Sequence, residues 1–138
     1  MEQATFSFSS YKINKFSFND ENETEHKISI KLDPKGTFIS KERKFILNFE
    51  FYAFDKDKTP KDSFVKCSLS AEFLFSDSIK SLEDIPQYFY SNSIAIVFPY
   101  LRSFISSLTI QANIKPVILP TMNLISLSTP LKENVIVE

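Results

Sequence analysis

The sequence has few of the residues that build several common kinds of functional site. Among its 138 residues there are one glycine, one cysteine, one histidine and no tryptophan. With a single glycine, the chain cannot form a glycine-rich phosphate loop or a dinucleotide-binding fingerprint. The lone cysteine, Cys67, excludes an internal disulfide framework and favours a reducing compartment. These scarcities argue against nucleotide-dependent enzymes and against disulfide-stabilised secreted domains.

Charge and hydropathy exclude further classes. The net charge is −1, with both signs interspersed, so there is no electrostatic basis for binding nucleic acid or an anionic membrane. The first five residues lack the basic run and apolar core of a signal peptide. No apolar stretch approaches the roughly 20 residues of a membrane span. We therefore expect one soluble domain over residues 1–138, acting in the cytoplasm.

The residues that carry catalytic or metal chemistry lack the companions they would need. His26 opens a predicted strand without an identifiable nucleophile or other metal ligands nearby. Cys67 alternates with core positions, which predicts a buried and inert thiol. Asp55, Asp57 and Asp62 share a turn with lysines, which predicts a solvated loop without the spacing of a calcium loop. The sequence thus predicts no catalytic site, no cofactor, no metal and no enzyme.

What the sequence has in abundance is phenylalanine, counted at 15, with five tyrosines. Alternation of apolar and polar residues predicts four strands, over Thr5–Phe18, His26–Leu32, Phe45–Phe54 and Phe64–Phe75. The second strand resumes at Phe38 after the interruption at 34–36. Both of the last two strands carry apolar residues on their second face as well. This surplus of aromatic surface is the main positive signal in the sequence.

The first predicted strand changes phase along its length. Its apolar residues form three pairs on alternating faces, namely Phe6 with Phe8, Tyr11 with Ile13, and Phe16 with Phe18. Two interpretations are open: one long strand with bulges, or two short strands with a bend. A long first strand that is apolar on both sides is a candidate subunit edge, because its free backbone groups would pair with a partner strand.

A helix is predicted over Ile94–Ala112, preceded by a transition in which Asp84 caps a short turn. Its apolar residues recur every three or four positions and form two adjoining rows. Pro99 predicts a kink within the helix, and Asn113 predicts a left-handed end. The rows are Ile94, Phe98, Leu101, Ile105, Leu108 and Ala112, and Val97, Tyr100, Phe104 and Leu108. Because the strands come first and the helix last, the fold class is α+β.

Two short runs in the last third of the chain resemble motifs of the protein-export chaperone SecB. The run Phe98-Pro99-Tyr100-Leu101-Arg102 is similar to the FPYAR-like run in that family's long helix. About ten helical residues and a polar break later, the segment from Leu119 to Leu124 is similar to the family's LPP(I/V)NF-like segment. Three positions depart from the pattern: Asn113 stands where the family has a glycine turn, Thr121 replaces the second proline, and Leu124 replaces the aromatic residue.

The resemblance implies a fold, an assembly and a function. SecB-like proteins have a four-stranded antiparallel sheet followed by a long helix. They pair through their first strands and form a dimer of dimers with the helices between the sheets. The family holds unfolded precursor proteins in hydrophobic grooves without ATP, and many members deliver them to the motor SecA. Lys15 and Asn19 stand near the position of the carboxylates that contact SecA, with Asp20 and Glu21 close by. Delivery is therefore less strongly implied than holding.

These considerations assign candidate residues to two surfaces of a domain whose core spans about residues 5–127, with residues 128–138 as a loosely ordered tail. Burial under a loop or in a subunit contact is an equally weighted alternative for each client-binding candidate. An adaptor or toxin–antitoxin-associated chaperone with one partner is the alternative function. A small-ligand pocket is a third hypothesis. The client-binding candidates are Tyr52, Phe54, Phe64, Leu74, Tyr88, Phe89 and Tyr90. The candidates for the oligomer interface are Phe6, Phe8, Tyr11, Ile13, Phe98, Leu101, Phe104, Ile105 and Leu108.

Overall fold

The computed structural model describes residues 4–114, 116–119 and 123–138. Within these ranges, five strands form one sheet in the order β1-β4-β3-β2-β5. The first four strands pair antiparallel, and β5 runs parallel to β2. The elements are β1 (Phe6–Phe18), β2 (Ile28–Ile39), β3 (Lys44–Asp55), β4 (Val65–Phe75), α1 (Gln87–Gln111), α2 (Ser128–Glu133) and β5 (Val135–Val137).

The α+β class and the long helix are confirmed, but the sheet is a mixed one of five strands and not the predicted antiparallel one of four. Strands β1, β3 and β4 begin and end close to their predicted bounds. Strand β2 extends past its predicted end to Ile39 and runs without a break through Pro34 and Gly36. The fifth strand was not predicted. It comes from residues 128–138, which form α2 and β5 instead of a loosely ordered tail. Leu131 explains the difference, because its side chain is fully buried in the core.

Strand β1 is one long strand with two irregularities in its pairing to β4, between Phe8 and Ser10 and between Ile13 and Lys15. The extra residue at each irregularity turns the apolar residues that follow it back to the core face, which simple alternation would not do. All six apolar residues of β1 therefore lie opposite residues of β4 that face the core. The pairs are Phe6 with Phe75, Phe8 with Phe73, Tyr11 with Ala71, Ile13 with Leu69, Phe16 with Cys67, and Phe18 with Val65. Of the two interpretations that the sequence left open, the structure has the one long strand with bulges, and the prediction of a strand that is apolar on both sides is wrong.

Helix α1 supplies the other half of the core. In the first predicted row, the residues from Ile94 to Ile105 are buried, whereas Leu108 is half-buried and Ala112 is exposed. The alternating apolar residues of β3 and β4 are buried as well. In the second row Val97 is buried, and Tyr100, Phe104 and Leu108 are exposed or half-buried. The wide apolar stripe is therefore divided between the subunit's own core and its surface.

Helix α1 begins seven residues before its predicted start. Pro86 precedes the first helical residue, Gln87, and Pro99 lies inside the helix. Mean hydropathy over an 18-residue window of α1 is 1.4, so by length and composition alone it could cross a membrane. This corrects the expectation that no such stretch exists. Nine residues of α1 are buried against the rest of the subunit.

The end of α1 is fixed by two polar residues. Asn113 has a φ of 58°, the left-handed conformation predicted for it. Thr109 is buried, and its hydroxyl donates to the Ile105 carbonyl and accepts from the Val117 amide at 3.1 Å. This bond holds the segment 116–119 against the core, where Val117 and Leu119 are buried. Positions 120–122 of the SecB-like motif lie outside the described residues.

The single glycine of the chain has a packing role. Gly36 lies on the core face of β2, where an added Cβ would stand 2.3 Å from Cζ of Phe45. The Phe45 ring is itself fully buried, so it has little room to move away. The ring therefore packs directly on the β2 backbone, which requires a residue without a side chain.

Candidate functional site

Three of the predicted client-binding residues belong to the core of the subunit. Phe89 and Tyr90 lie in the first turn of α1 and are buried, and Phe64 is buried immediately before β4. Phe89 contacts the rings of Phe6 and Phe45, each at a centroid distance of 4.9 Å. The prediction that these three side chains line a client groove is therefore wrong for the single chain. Their rings already pack against neighbouring side chains within the subunit.

The other four client-binding candidates reach the surface but are not contiguous. Tyr52 and Phe54 lie near one end of β3, half-buried on the face opposite the helix. Leu74 is exposed and pairs with Lys44, at the other end of the same strand. Eight residues of extended strand separate the two ends by about 27 Å. Tyr88 is exposed at the start of α1. These residues do not form one groove within a single subunit.

The candidates for the oligomer interface divide in the same way. Phe98, Leu101 and Ile105 are buried against the subunit's own sheet, so they are not available to a partner. The assignment of these three residues to the oligomer interface is therefore wrong, because they cover the subunit's own sheet. The remaining candidates are exposed or half-buried, namely Phe6, Phe8, Tyr11, Ile13, Phe104 and Leu108.

The structure brings several of these side chains together in what we call the aromatic patch, formed by Phe8, Tyr11, Phe16, Tyr100 and Phe104. Tyr11 of β1 stacks on Tyr100 of α1 with ring centroids 4.4 Å apart, and Phe8 lies 5.7 Å from the same ring. Phe16 contacts Phe104 edge-to-face at 5.5 Å. Tyr11, Phe16 and Tyr100 keep 44%, 52% and 40% of their surface exposed. Tyr100 and Phe104 lie one turn apart on α1, so the two groups of rings are neighbours, and Tyr11, Phe16 and Tyr100 are their exposed members.

Sequence reasoning did not assign Phe16 and Tyr100 to a functional surface. Tyr100 belongs to the second apolar row of α1, and this row could have assigned it to a surface from the sequence. Phe16 could not be placed beside Tyr11 because simple alternation puts them on opposite faces, and the second bulge of β1 puts them on the same face. The aromatic patch therefore depends on the bulges.

The aromatic patch lies beside a free strand edge. Strand β1 is at the end of the sheet, and in the described part of the chain it pairs with β4 alone. Its outer row of amides and carbonyls is thus available to a further strand. An extended polypeptide on this edge would receive main-chain hydrogen bonds and meet aromatic rings at the same place.

The chain's one histidine belongs to a small polar cluster at the C-terminal end of β3, around Asp55. His26 Nδ1 lies 3.1 Å from an Asp55 carboxylate oxygen, which also accepts from the Thr24 hydroxyl. The Asp57 amide donates to the other oxygen at 2.8 Å. Asp55 is buried, so the prediction of a solvated loop is wrong for this residue. Ligand atoms of His26, Asp55 and Asp57 lie within 4.8 Å of one another, but these hydrogen bonds account for the grouping.

Because of this cluster, the free energy of unfolding should depend on pH in the acid range. Bonds from the Thr24 hydroxyl, the Asp57 amide and His26 lower the pKa of Asp55 from 3.8 to about 2. Since the folded pKa is the lower one, this stabilisation is complete above about pH 4 and is lost as the pH falls towards 2. We expect the difference in unfolding free energy between wild type and Asp55→Asn to be constant above pH 4 and to shrink below it. Urea unfolding between pH 2 and 6 measures it, and a difference that persists at pH 2 would contradict the assignment.

Cys67 is buried on the core face of β4, as predicted. Burial, with a smaller contribution from Glu50, raises the pKa of its thiol to about 12. The thiolate is the reactive form of cysteine, so this side chain is inert near neutral pH. It acts as a small apolar residue in the core.

Comparison with known proteins identifies the fold and the family. No protein-family model matches the chain. The Mycobacterium tuberculosis Rv1957 SecB-like chaperone, solved in complex with a ChAD peptide from the Rv1956 HigA1 antitoxin, superposes with a TM-score of 0.70 at 11% identity, covering 86% of this chain and 88% of that chain. A protein of unknown function from Streptococcus agalactiae has a TM-score of 0.44 at 12% identity, covering 84% and 97%.

The chain is a divergent protein of the SecB-like fold, as the two sequence runs predicted. The uncharacterized protein MJ0357 of Methanocaldococcus jannaschii is 31% identical over 131 residues, which cover 91% of this chain and 84% of that protein. The chain belongs to the family of MJ0357.

Proposed function

We propose that this protein is a chaperone that binds non-native polypeptide without ATP. The observation that carries the proposal is a SecB-like fold over most of the chain, with aromatic side chains outside the core, of which Tyr88 is exposed and Tyr52 and Phe54 are half-buried. Aromatic side chains contact varied apolar segments without requiring one sequence. The near-zero net charge adds no strong electrostatic selection among clients. Such a surface suits binding of many unfolded chains.

Assembly is part of this proposal. The subunits associate through the outer edge of β1 and the second row of α1, and two such dimers form a tetramer. The interface candidates that remain after the structural corrections are Phe6, Phe8, Tyr11, Ile13, Phe104 and Leu108. The dispersed residues Tyr52, Phe54, Leu74 and Tyr88 are the remaining client-binding candidates, because a groove that crosses several subunits would join them.

A role in export is the finer part of the proposal. The protein acts in the cytoplasm, holds precursors before translocation and transfers them to SecA. The acidic turn Asp20–Asn22, which follows β1, supplies exposed carboxylates from Asp20 and Glu21 for that contact. Reversal of both charges is the direct way to separate transfer from holding, because the turn contains no buried residue.

The test is suppression of aggregation. A denatured client protein is diluted into buffer without ATP, and its light scattering is recorded with increasing amounts of the chaperone. We expect suppression to be complete near one client per assembled chaperone, at a solution mass that is a multiple of 15.9 kDa. A folded, oligomeric protein that leaves client aggregation unchanged at tenfold molar excess would overturn the proposal.

A dedicated adaptor is the second candidate function. One observation favours it: the similar Rv1957 structure was solved with a peptide from one antitoxin. In this case the protein would bind one partner tightly and general clients weakly. Affinity capture followed by mass spectrometry separates the two functions. One partner in stoichiometric amount supports an adaptor, and a broad set of unfolded chains supports a general chaperone.

A further inference from the structure

Strand β5 occupies the edge of β2 through main-chain contacts. The Gly36 amide donates to the Asn134 carbonyl at 3.0 Å, the Glu138 amide donates to the Phe38 carbonyl at 2.8 Å, and the Ser40 amide donates to the Glu138 carbonyl at 3.1 Å. The strand is only three residues long and runs parallel to β2. It therefore fills an edge that would otherwise present free amides and carbonyls.

Only the first residue of β5 is held by side-chain burial. Val135 is half-buried and packs against the core, whereas Ile136 and Val137 keep 66% and 51% of their surface exposed. Fixing the backbone of each residue costs conformational entropy, and each main-chain hydrogen bond offsets a cost of similar size. The half-buried Val135 side chain therefore supplies most of the net attachment, and the rest of β5 is weakly held.

The preceding helix is held much more firmly than β5. Leu131 is fully buried, and Lys132 Nζ donates to Oε1 of Gln87 in α1 at 2.7 Å. Asn134 closes α2 by donating from its amide to the Leu131 carbonyl. Strand β5 can thus detach at Asn134 while α2 remains docked, and the β2 edge is uncovered without loss of the core.

The uncovered edge would bind the main chain of an extended polypeptide and would select little among its side chains. Its bonding groups include the Gly36 amide, the Phe38 carbonyl and the Ser40 amide. Gly36 has no side chain to select a neighbour, and two of the three residues of β5, Ile136 and Val137, leave most of their side chains in solvent. Any extended, β-branched or apolar segment reproduces the contacts that β5 makes.

We propose that β5 is a displaceable occupant of the β2 edge, and that an extended apolar segment of a non-native polypeptide takes its place as a parallel strand. This inference rests on the proposed chaperone function and names the site at which a client backbone is held. Strand β5 then protects the edge from unwanted pairing while no client is present. Client affinity is set by the competition between the two strands.

A reversible cross-link tests this competition. Thr37 and Ile136 are direct partners in the parallel register, and in-register neighbours in a sheet lie within the range that a disulfide can bridge. In the Thr37→Cys/Ile136→Cys variant, oxidation locks β5 in place and reduction frees it. Cys67 does not interfere, because its thiol is buried and has a raised pKa. The probe is carboxymethylated α-lactalbumin, a permanently unfolded chain, and binding is measured by fluorescence anisotropy.

We expect oxidation of this variant to weaken binding of the probe at least tenfold and reduction to restore it. The matched control is Lys12→Cys/Ser70→Cys, which places a cross-strand pair between β1 and β4 at residues outside the client-binding candidates and should bind equally in both states. The opposite perturbation is Glu138→Pro, which removes the amide that donates to Phe38. It should tighten binding about three- to tenfold, because the competing strand loses one hydrogen bond.

The outcomes separate the two proposals. If wild type binds the probe and the locked variant binds equally well, the displacement of β5 is overturned and the chaperone function stands. If no form of the protein binds the probe, the chaperone function itself fails. A change of solution mass on reduction would mean that β5 is exchanged between copies of the chain, which also overturns client displacement.

Discussion

Replacing Phe89 by alanine is expected to lower the free energy of unfolding by about 3–5 kcal/mol, the usual cost of truncating a buried phenylalanine. Phe89 lies at the centre of an aromatic cluster that joins α1 to three strands. Its ring lies 4.8 Å from Phe75 and 5.5 Å from Phe73, in addition to its contacts with Phe6 and Phe45. The alanine variant leaves a cavity where these rings converge. Urea unfolding at a fixed protomer concentration measures the effect.

The adjacent Tyr88 provides the matched control. It is exposed and donates one hydrogen bond to the Thr5 hydroxyl on the surface. Tyr88→Ala should therefore change the unfolding free energy by no more than about 0.5 kcal/mol. If Phe89→Ala kept wild-type stability and instead weakened client binding, Phe89 would return to the client surface on which sequence reasoning placed it.

Placing charges in the aromatic patch is expected to dissociate the assembly. In Tyr11→Asp/Tyr100→Asp, two carboxylates replace a stacked pair that the proposed interface buries. Burying unpaired charge is strongly unfavourable, so the variant should run as a monomer of 15.9 kDa in multi-angle light scattering. Within the subunit the loss is small, since an exposed aromatic pair contributes about 0.5–1.5 kcal/mol. Circular dichroism should show an unchanged fold.

Tyr88→Asp is the control for this experiment. It introduces one carboxylate on the same helix, about 18 Å along the axis from Tyr100, and should leave the mass of the assembly unchanged. Should the double variant keep its full mass, the patch is not a subunit contact. A simultaneous loss of aggregation suppression would then assign the patch to client binding.

Strands β3 and β4 were predictable because each has a strict two-residue period. In β3 the buried residues Phe45, Leu47 and Phe49 alternate with half-buried ones, and that pattern identifies both faces without tertiary information. Asn113 was predictable for a similar reason, because few residues other than glycine tolerate a positive φ. The SecB-like runs added the order of the elements.

Features that depend on long-range contacts were not predictable. Strand β5 has only three residues, and its register is set by the docking of Leu131, which no local pattern reveals. The early start of α1 was missed because residues 88–93 combine aromatic and serine residues of modest helix propensity, and burial of Phe89 and Tyr90 outweighs that preference. His26 pairs with Asp55, 29 positions away.

The candidate surfaces were the least predictable part. Alternation correctly separates the two faces of a strand, but it does not show which face a helix will cover or how far a row of α1 extends beyond the sheet. Phe64, Phe98 and Leu101 were assigned to surfaces because the chain has more aromatic and aliphatic residues than one side of a sheet requires. The core accommodates them because α1 and the segment 116–119 enclose more volume than four strands alone.

The irregularities of β1 limit which strands can join it. Regular pairing runs only over Phe6–Phe8, Ser10–Ile13 and Lys15–Phe18, so a straight strand from an unrelated chain matches at most four consecutive residues before its register fails. A long regular strand, of the kind that seeds fibrils, is therefore a poor match for this edge. In the dimer proposed above, each copy of β1 would bring the same two irregularities to the shared edge.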